Sequence, residues 1–138
     1  MSVTTRVAST SDLRFLGEVD GHVSPDDLAD LVSAGRVMVV EVDGVVVGFL
    51  RWGLFWDQIP FMNLLWILPD WRGQGVGTVL VDAWERSQLA AGHQLVLTST
   101  MSDERSQHLY RRLGYVDSGA LFLPDEAAEI ILRKPLAK

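Results

Sequence analysis

The chain has 138 residues, 48% hydrophobic and 22% charged, which suits one globular domain burying roughly two-thirds of its unfolded surface. Its net charge of −6 argues against a binder of nucleic-acid phosphates and is compatible with a cationic substrate. The absence of cysteine excludes disulfides, thiolate metal sites and a cysteine nucleophile, and fits a reducing cytoplasm. The first ten residues lack the apolar core of a signal peptide, and no apolar run approaches membrane-spanning length. A cytoplasmic protein without membrane or nucleic-acid partners is expected, with residues 1–138 as a single domain and no linker.

Ser2 to Ala8 alternates weakly and predicts an edge strand. Ser9-Thr10-Ser11-Asp12 offers N-caps for a helix through Leu13, Phe15, Leu16 and Val19, which Gly21-His22 breaks. Ser24-Pro25-Asp26-Asp27 combines a cap, a first-turn Pro and acidic residues, so a second helix runs to about Ser33 and stops at Gly35. Val37 to Val42 and Val45 to Leu54 predict a hairpin about Asp43-Gly44. Gly53 to Pro60 carries no clear element. Its neighbourhood holds Trp52, Phe55 and Trp56, which suit either core and rim packing or an aromatic lining for an amine. Phe61 to Leu68 is a fourth strand whose near-continuous apolar character predicts cover on both faces.

Next comes Pro69-Asp70-Trp71-Arg72-Gly73-Gln74-Gly75-Val76-Gly77-Thr78, then apolar residues at helical spacing from about Gly75 to Ala91, with Gly92 as C-cap. A glycine-rich turn from strand into helix leaves backbone N–H groups unpaired at a helix N-terminus, where the dipole also favours negative charge. Residues 73–78 therefore predict an anion site, most often for phosphate. A Walker loop would need Lys before Ser or Thr, and none is present. A dinucleotide fingerprint from Gly75 would need Gly or Ala at position 80, which is Leu80. Leu95 to Ser99 is a short strand, and Met101-Ser102-Asp103-Glu104 caps a last helix ending at Gly114. Val116 to Leu123 and Glu129 to Arg133 close the chain as two strands about Pro124-Asp125.

Ile67-Leu68-Pro69 followed by Arg72-x-x-Gly75-x-Gly77 resembles the acetyl-CoA pyrophosphate loop of the GCN5-related N-acetyltransferases (GNAT). Asp103-x-x-Ser106-x-x-Leu109-Tyr110, followed by Leu113-Gly114-Tyr115, is similar to that family's last-helix pattern, with Asp103 in place of Asn and Ser106 in place of Ala. The order β-α-α-β-β-β-α-β-α-β-β over the whole chain matches as well. The resemblance implies an α/β (α+β) fold with a mixed, mostly antiparallel sheet and about four helices. It also implies acetyl transfer from acetyl-CoA to a primary amine, without a metal.

By that resemblance Arg72, Gly73, Gln74, Gly75, Val76, Gly77 and Thr78 bind the cofactor with Asp103 and Ser106. Backbone N–H groups around Leu65 and Ile67 would hold the pantetheine, where the fourth strand splits from the next, and polarise the thioester. Tyr110 matches the usual general acid. Arg111 and Arg112 suit either nucleotide phosphates or a solvated basic face. His93 and His108 lack a partner at metal-ligand spacing. Many relatives place a carboxylate where this chain has Asn63, which can hold a water but not accept a proton at neutral pH. A water relay at Asn63 with Asp57 as the nearest acid is the expected base, and Glu18, Asp20, His22 and Glu41 stay open. Trp52 and Trp56 are the candidate acceptor-binding residues. The acceptor is expected to be a small-molecule amine, with a protein amine and a homodimer left open. The alternative reading is a non-catalytic acyl-CoA-binding sensor or regulatory domain.

Overall fold

The structure, a computed structural model, describes residues 1–137. Strand β1 (Val3–Val7) leads through a 3-10 turn at Thr10–Asp12 into helix α1 (Leu13–Val19). Ser24 caps helix α2 (Pro25–Ser33), its hydroxyl accepting from the Asp27 N–H at 3.1 Å, and Pro25 stands in the first turn, where its missing N–H is not needed. Strands β2 (Val37–Val42) and β3 (Val45–Phe55) pair about Asp43-Gly44, whose φ of 50° and 84° are those of a primed hairpin turn. After them come β4 (Ile59–Ile67), α3 (Val76–Ala90), β5 (Leu95–Met101), α4 (Ser106–Arg112), β6 (Val116–Leu121) and β7 (Glu129–Pro135).

Among the described residues these are four α-helices and a seven-stranded sheet of order β1-β2-β3-β4-β5-β7-β6. The β4–β5 pair is parallel, while β1–β2, β2–β3, β5–β7 and β6–β7 are antiparallel. This is the mixed, mostly antiparallel architecture and the element order expected from the sequence. Among the described residues no helix is long and apolar enough to cross a membrane.

The chain divides into two units that share β3, β4 and α3: Met1–Trp52 with Leu64–Trp84, and Gly53–Asn63 with the chain from Glu85 onward. In the first, Leu16, Leu28 and Val32 from the helices pack with Val37, Val39 and Phe49 from the strands. Trp66 closes that core, its ring 6.5 Å from Phe15 and 6.2 Å from Phe49. The approach of β3 to the end of β4 requires Gly48: a Cβ there would lie 2.5 Å from Ile67 Cδ1 and 2.8 Å from the Trp66 carbonyl oxygen.

Three ion pairs, two of them made by Arg6, tie elements of this unit. Arg6 grips Asp12 with both terminal nitrogens, at 2.7 and 3.0 Å, and gives its Nε to Glu41 at 2.9 Å. Buried Asp20 accepts the Arg51 Nε at 2.6 Å and the His22 N–H at 3.0 Å. The Arg6 fork holds the Asp12 carboxyl below the usual carboxylate range. A carboxylate with a depressed folded value contributes stability that is complete above its unfolded value, about 4, and is lost as pH falls through the folded value. The expected result is that Asp12→Asn melts below wild type at neutral pH, and that this gap narrows as pH falls from about 4 toward 2. Melting curves across that range check it; a gap that widens in acid would refute it.

In the second unit β5 lies between β4 and β7, with Leu97 facing Phe61 on one side and Arg133 on the other. Two sequence expectations are corrected here, and one unassigned stretch is resolved. The last helix starts at Ser106 after Arg105, so Asp103 does not cap it; Asp103 is exposed in the preceding turn, where Glu104 accepts the Met101 N–H at 3.2 Å. The fourth strand is not covered on both faces, since Asn63 is exposed and Leu64, Leu65 and Trp66 are only half-buried. The unassigned stretch from Gly53 to Pro60 continues β3 into a tight tip, where Gln58 N–H bonds Phe55 at 3.1 Å and Trp56 and Asp57 take φ of 55° and 59°. That turn wants Asn-Gly, so sequence gave no signal for it, and a bulky aromatic held there stores strain.

Candidate active site

The first unit carries the glycine turn. Pro69–Trp71 forms a 3-10 turn after β4, and the chain then passes through Gly73 at φ 76° and Gly75 at φ 81° into α3. These left-handed conformations are open to glycine and strained for other residues, and a Cβ at either position would meet nothing within 4 Å. Val79 is the first N–H to close onto the turn, bonding the Gly75 carbonyl at 3.1 Å. By helix geometry the N–H groups of Val76, Gly77 and Thr78 have no partner inside α3. The site is thus backbone donors over open space at a positive dipole end, the chemistry a diphosphate needs.

Two side chains brace this turn from outside. Arg72 donates its Nε to the Ile67 carbonyl at 2.7 Å and lays its guanidinium 5.7 Å over the Trp66 ring. Gln74 donates its amide to the Asp70 carbonyl at 3.0 Å. Both side chains hold the loop to the end of β4. Ile67 is buried and Leu65 half-buried on that strand, and Val76 is buried while Thr78 is exposed.

In the second unit Tyr110 is 5% exposed on α4. Burial pushes its phenol up to about 12, a hydrogen bond with Thr98 pulling back and the Glu104 carboxylate adding to the rise. Thr98 in turn donates to the Met62 carbonyl at 3.0 Å, which fixes β5 to β4 at this point. The Tyr110 phenol therefore keeps its proton throughout the neutral range. Ser106 shares a hydrogen bond of 2.8 Å with Thr100 on β5, while Arg111 pairs with Asp117 and Arg112 is exposed.

Asn63 is exposed on β4, where its amide nitrogen would stand 3.3 Å from a Cβ at Gly53. Asp57 is exposed in the hairpin tip, six residues from Asn63; the strand from Ile59 to Asn63 alone spans four residues, or about 13 Å. The structure therefore does not bring Asp57 to Asn63. Of the other carboxylates, Asp20 is committed to Arg51, Glu41 to Arg6, and exposed Glu18 to Arg14. His22 is exposed, with Nδ1 3.6 Å from Asp20. Trp52 has its ring 6.3 Å from Trp84 and under the Arg36 guanidinium at 5.6 Å, so a cation already occupies it. Trp56 is 75% exposed at the hairpin tip, 4.7 Å from Phe55, which stacks on Phe61 at 6.1 Å. His93 is half-buried and His108 exposed, and no cluster of three or more His, Asp or Glu among the described residues is arranged to hold a metal ion.

Residues 33–117, more than half of the chain, match the model of the acetyltransferase (GNAT) domain. The chain belongs to the GNAT family. It is an acyltransferase by that membership, and the fold agrees. The Ard1 structure from Thermoplasma volcanium superposes with a TM-score of 0.85 at 20% identity, each chain covered to 100%. A PaiA N-acetyltransferase from Thermoplasma acidophilum, solved with coenzyme A, gives 0.83 at 15% identity, covering 98% of this chain and 99% of its own. A GNAT-family acetyltransferase from Bacillus cereus gives 0.82 at 22%, with both chains covered fully. Among curated protein sequences nothing matches.

Sequence reasoning missed the groups behind Tyr110. Tyr115 stands edge-on to Tyr110, ring centroids 5.8 Å apart, and donates its phenol to Glu85 at 2.9 Å; Lys134 reaches the other oxygen of Glu85 at 2.7 Å. One signal for this was present. Glu85 shares the buried face of α3 with Val81, Trp84 and Gln88, and a carboxylate there needs partners.

Proposed function

We propose that this chain is an acetyl-CoA-dependent N-acetyltransferase acting, as a single domain, on a primary amine of a small, cationic acceptor. The observation that carries the reading is the glycine turn of a GNAT-family chain, with Gly73 and Gly75 in left-handed conformations and open space above them. A turn with this backbone fits the diphosphate of coenzyme A: residues 73–78 supply N–H donors and the start of α3 supplies the dipole. Arg72 and Gln74 serve by shaping the loop. A relative of the same fold was solved with coenzyme A, which agrees with this use of the loop. The charge of −6 favours a cationic acceptor.

In the proposed reaction the neutral amine attacks the thioester carbonyl carbon. A C–N bond forms, the C–S bond breaks, and the thiolate takes the phenolic proton of Tyr110. The amine's proton leaves through water held at Asn63 to solvent, from which the Tyr110 phenolate regains its own, and N–H groups of β4 around Leu65 and Ile67 steady the oxyanion. Alignment of amine and thioester supplies much of the rate.

The test is thermal shift with acetyl-CoA, CoA and ATP in parallel, followed by thiol release from acetyl-CoA with spermidine, lysine or an alanine-terminated hexapeptide as acceptor. Both CoA forms are expected to raise the melting point while ATP does not, and spermidine or lysine is expected to release thiol faster than the peptide. No shift with any ligand would leave the loop as a turn only and remove the proposal; faster turnover of the peptide would move the acceptor to protein N-termini.

A further inference from the structure

Tyr110 is a poor anchor for itself. Its ring is buried, and the polar side chain acting on its hydroxyl is Thr98, which is itself committed to the Met62 carbonyl. The neighbouring ring is held far more firmly. Tyr115 is buried, its phenol donates to Glu85 at 2.9 Å, and its N–H bonds the Tyr110 carbonyl at 3.0 Å. Glu85 is itself buried and saturated, with one oxygen on Tyr115 and the other on the Lys134 ammonium at 2.7 Å. Lys134 also lies 5.8 Å over the Tyr115 ring, so the three groups close on one another. Glu85 comes from α3 and Lys134 from β7, so two separate elements hold the ring that follows α4.

We propose that Tyr115, anchored by Glu85 and Lys134, is a positioning residue that holds the Tyr110 phenol in its working orientation and keeps the charge around it balanced. The inference rests on the proposed role of Tyr110 as proton donor. An edge-to-face contact at 5.8 Å transmits orientation, because rotation of either ring forfeits the packing of both. It transmits charge as well. The groups facing the two phenols are Thr98 and Glu104 at Tyr110, and Glu85 and Lys134 at Tyr115. The Glu85–Lys134 pair, its carboxylate buried and its ammonium part-exposed, is close to neutral, whereas either member alone is an uncompensated charge beside Tyr115, whose ring meets that of Tyr110.

That argument gives a readout of opposite signs. Glu85→Gln leaves the ammonium uncompensated and stabilises phenolate, so both tyrosines lose their protons at lower pH. Lys134→Met leaves the carboxylate uncompensated and moves them to higher pH. A merely structural role would loosen the fold in both variants and move the tyrosines the same way. The chain contains only two tyrosines, so carbon labelling at the phenol Cζ gives two NMR signals, which Tyr110→Phe and Tyr115→Phe assign.

The experiment titrates those signals in the full-length protein, wild type and variants. In parallel it measures kcat and KM for acetyl-CoA by thiol release with the fastest amine among spermidine, lysine and the alanine-terminated hexapeptide. The expected result is a lower Tyr110 midpoint in Glu85→Gln, none within range in Lys134→Met, and a five- to twentyfold loss of kcat in Tyr115→Phe with KM for acetyl-CoA within twofold. Midpoints that move together, or not at all, would overturn the proposal. Where Glu85→Gln does not fold, Tyr115→Phe decides, since it keeps the ring and removes only its anchor; unchanged kcat in that variant would overturn the proposal too. If instead Tyr110→Phe retains full kcat, the proton-donor reading falls, and the titrations still show whether the three groups control the ring.

Discussion

Truncating Asp20 to Ala is expected to destabilise the protein by about 3–5 kcal/mol, the usual cost of breaking a buried ion pair by removing one partner. The Asp20 side chain is 0% exposed and the Arg51 side chain 10% exposed, so water replaces neither partner. The truncation strands the guanidinium inside the first unit and also removes the acceptor of the His22 N–H at 3.0 Å. Such a loss is a large share of the 5–15 kcal/mol typical of a domain, and at roughly 3 °C per kcal/mol it lowers the melting point by about 10–15 °C. Asp20→Asn keeps an acceptor for His22 and should cost less. The double change Asp20→Leu with Arg51→Met should recover most of the loss, because an apolar pair carries no stranded charge. Urea unfolding of the wild type and the three variants measures this. A loss under about 1 kcal/mol for Asp20→Ala would show that water reaches Arg51.

What the sequence showed and what it hid divide along the range of the interactions. The hairpin at Asp43-Gly44, the cap at Ser24 and the glycine turn are legible because the residues that need a special conformation are also those that form it. The tip at Trp56-Asp57 adopts the same turn as Asp43-Gly44 with neither Asn nor Gly, so local chemistry could not announce it. The misplaced start of the last helix has a similar cause. Glu104 and Gln107 satisfy the turn through side-chain bonds to Met101 and Ser102, and the cap-like Asp103 is left outside. The groups around Tyr110 were hidden for another reason. Glu85 lies 30 residues from Tyr115 and 49 from Lys134, and only the fold pairs them. The loop was therefore readable nearly residue by residue, whereas Arg72 and Gln74 proved to brace it through carbonyls that no spacing rule names.

Tyr110→Phe is expected to lower kcat about 100-fold at pH 9 while KM for acetyl-CoA stays within about twofold, a barrier increase of about 2.7 kcal/mol. The pH dependence follows from two proton affinities. The departing thiolate resembles that of cysteine, with a value of about 8.5, so below that pH water can supply the proton and the variant is partly excused. Above it solvent no longer protonates the thiolate, and a phenol pushed up to about 12 still carries its proton there, so Tyr110 can steady the leaving sulfur by a hydrogen bond even though the thiolate is the weaker base. The defect should therefore grow between about pH 7 and 9.5, and wild-type kcat should show no alkaline fall in that window. Stability is a separate matter. Losing the bond to Thr98 costs about 1 kcal/mol, so the variant stays folded and its kinetics can be read. A kcat ratio that is small and flat across this range would mean that Tyr110 packs the core and that solvent protonates the thiolate. The same flat ratio with a raised KM would move the residue from chemistry to cofactor binding.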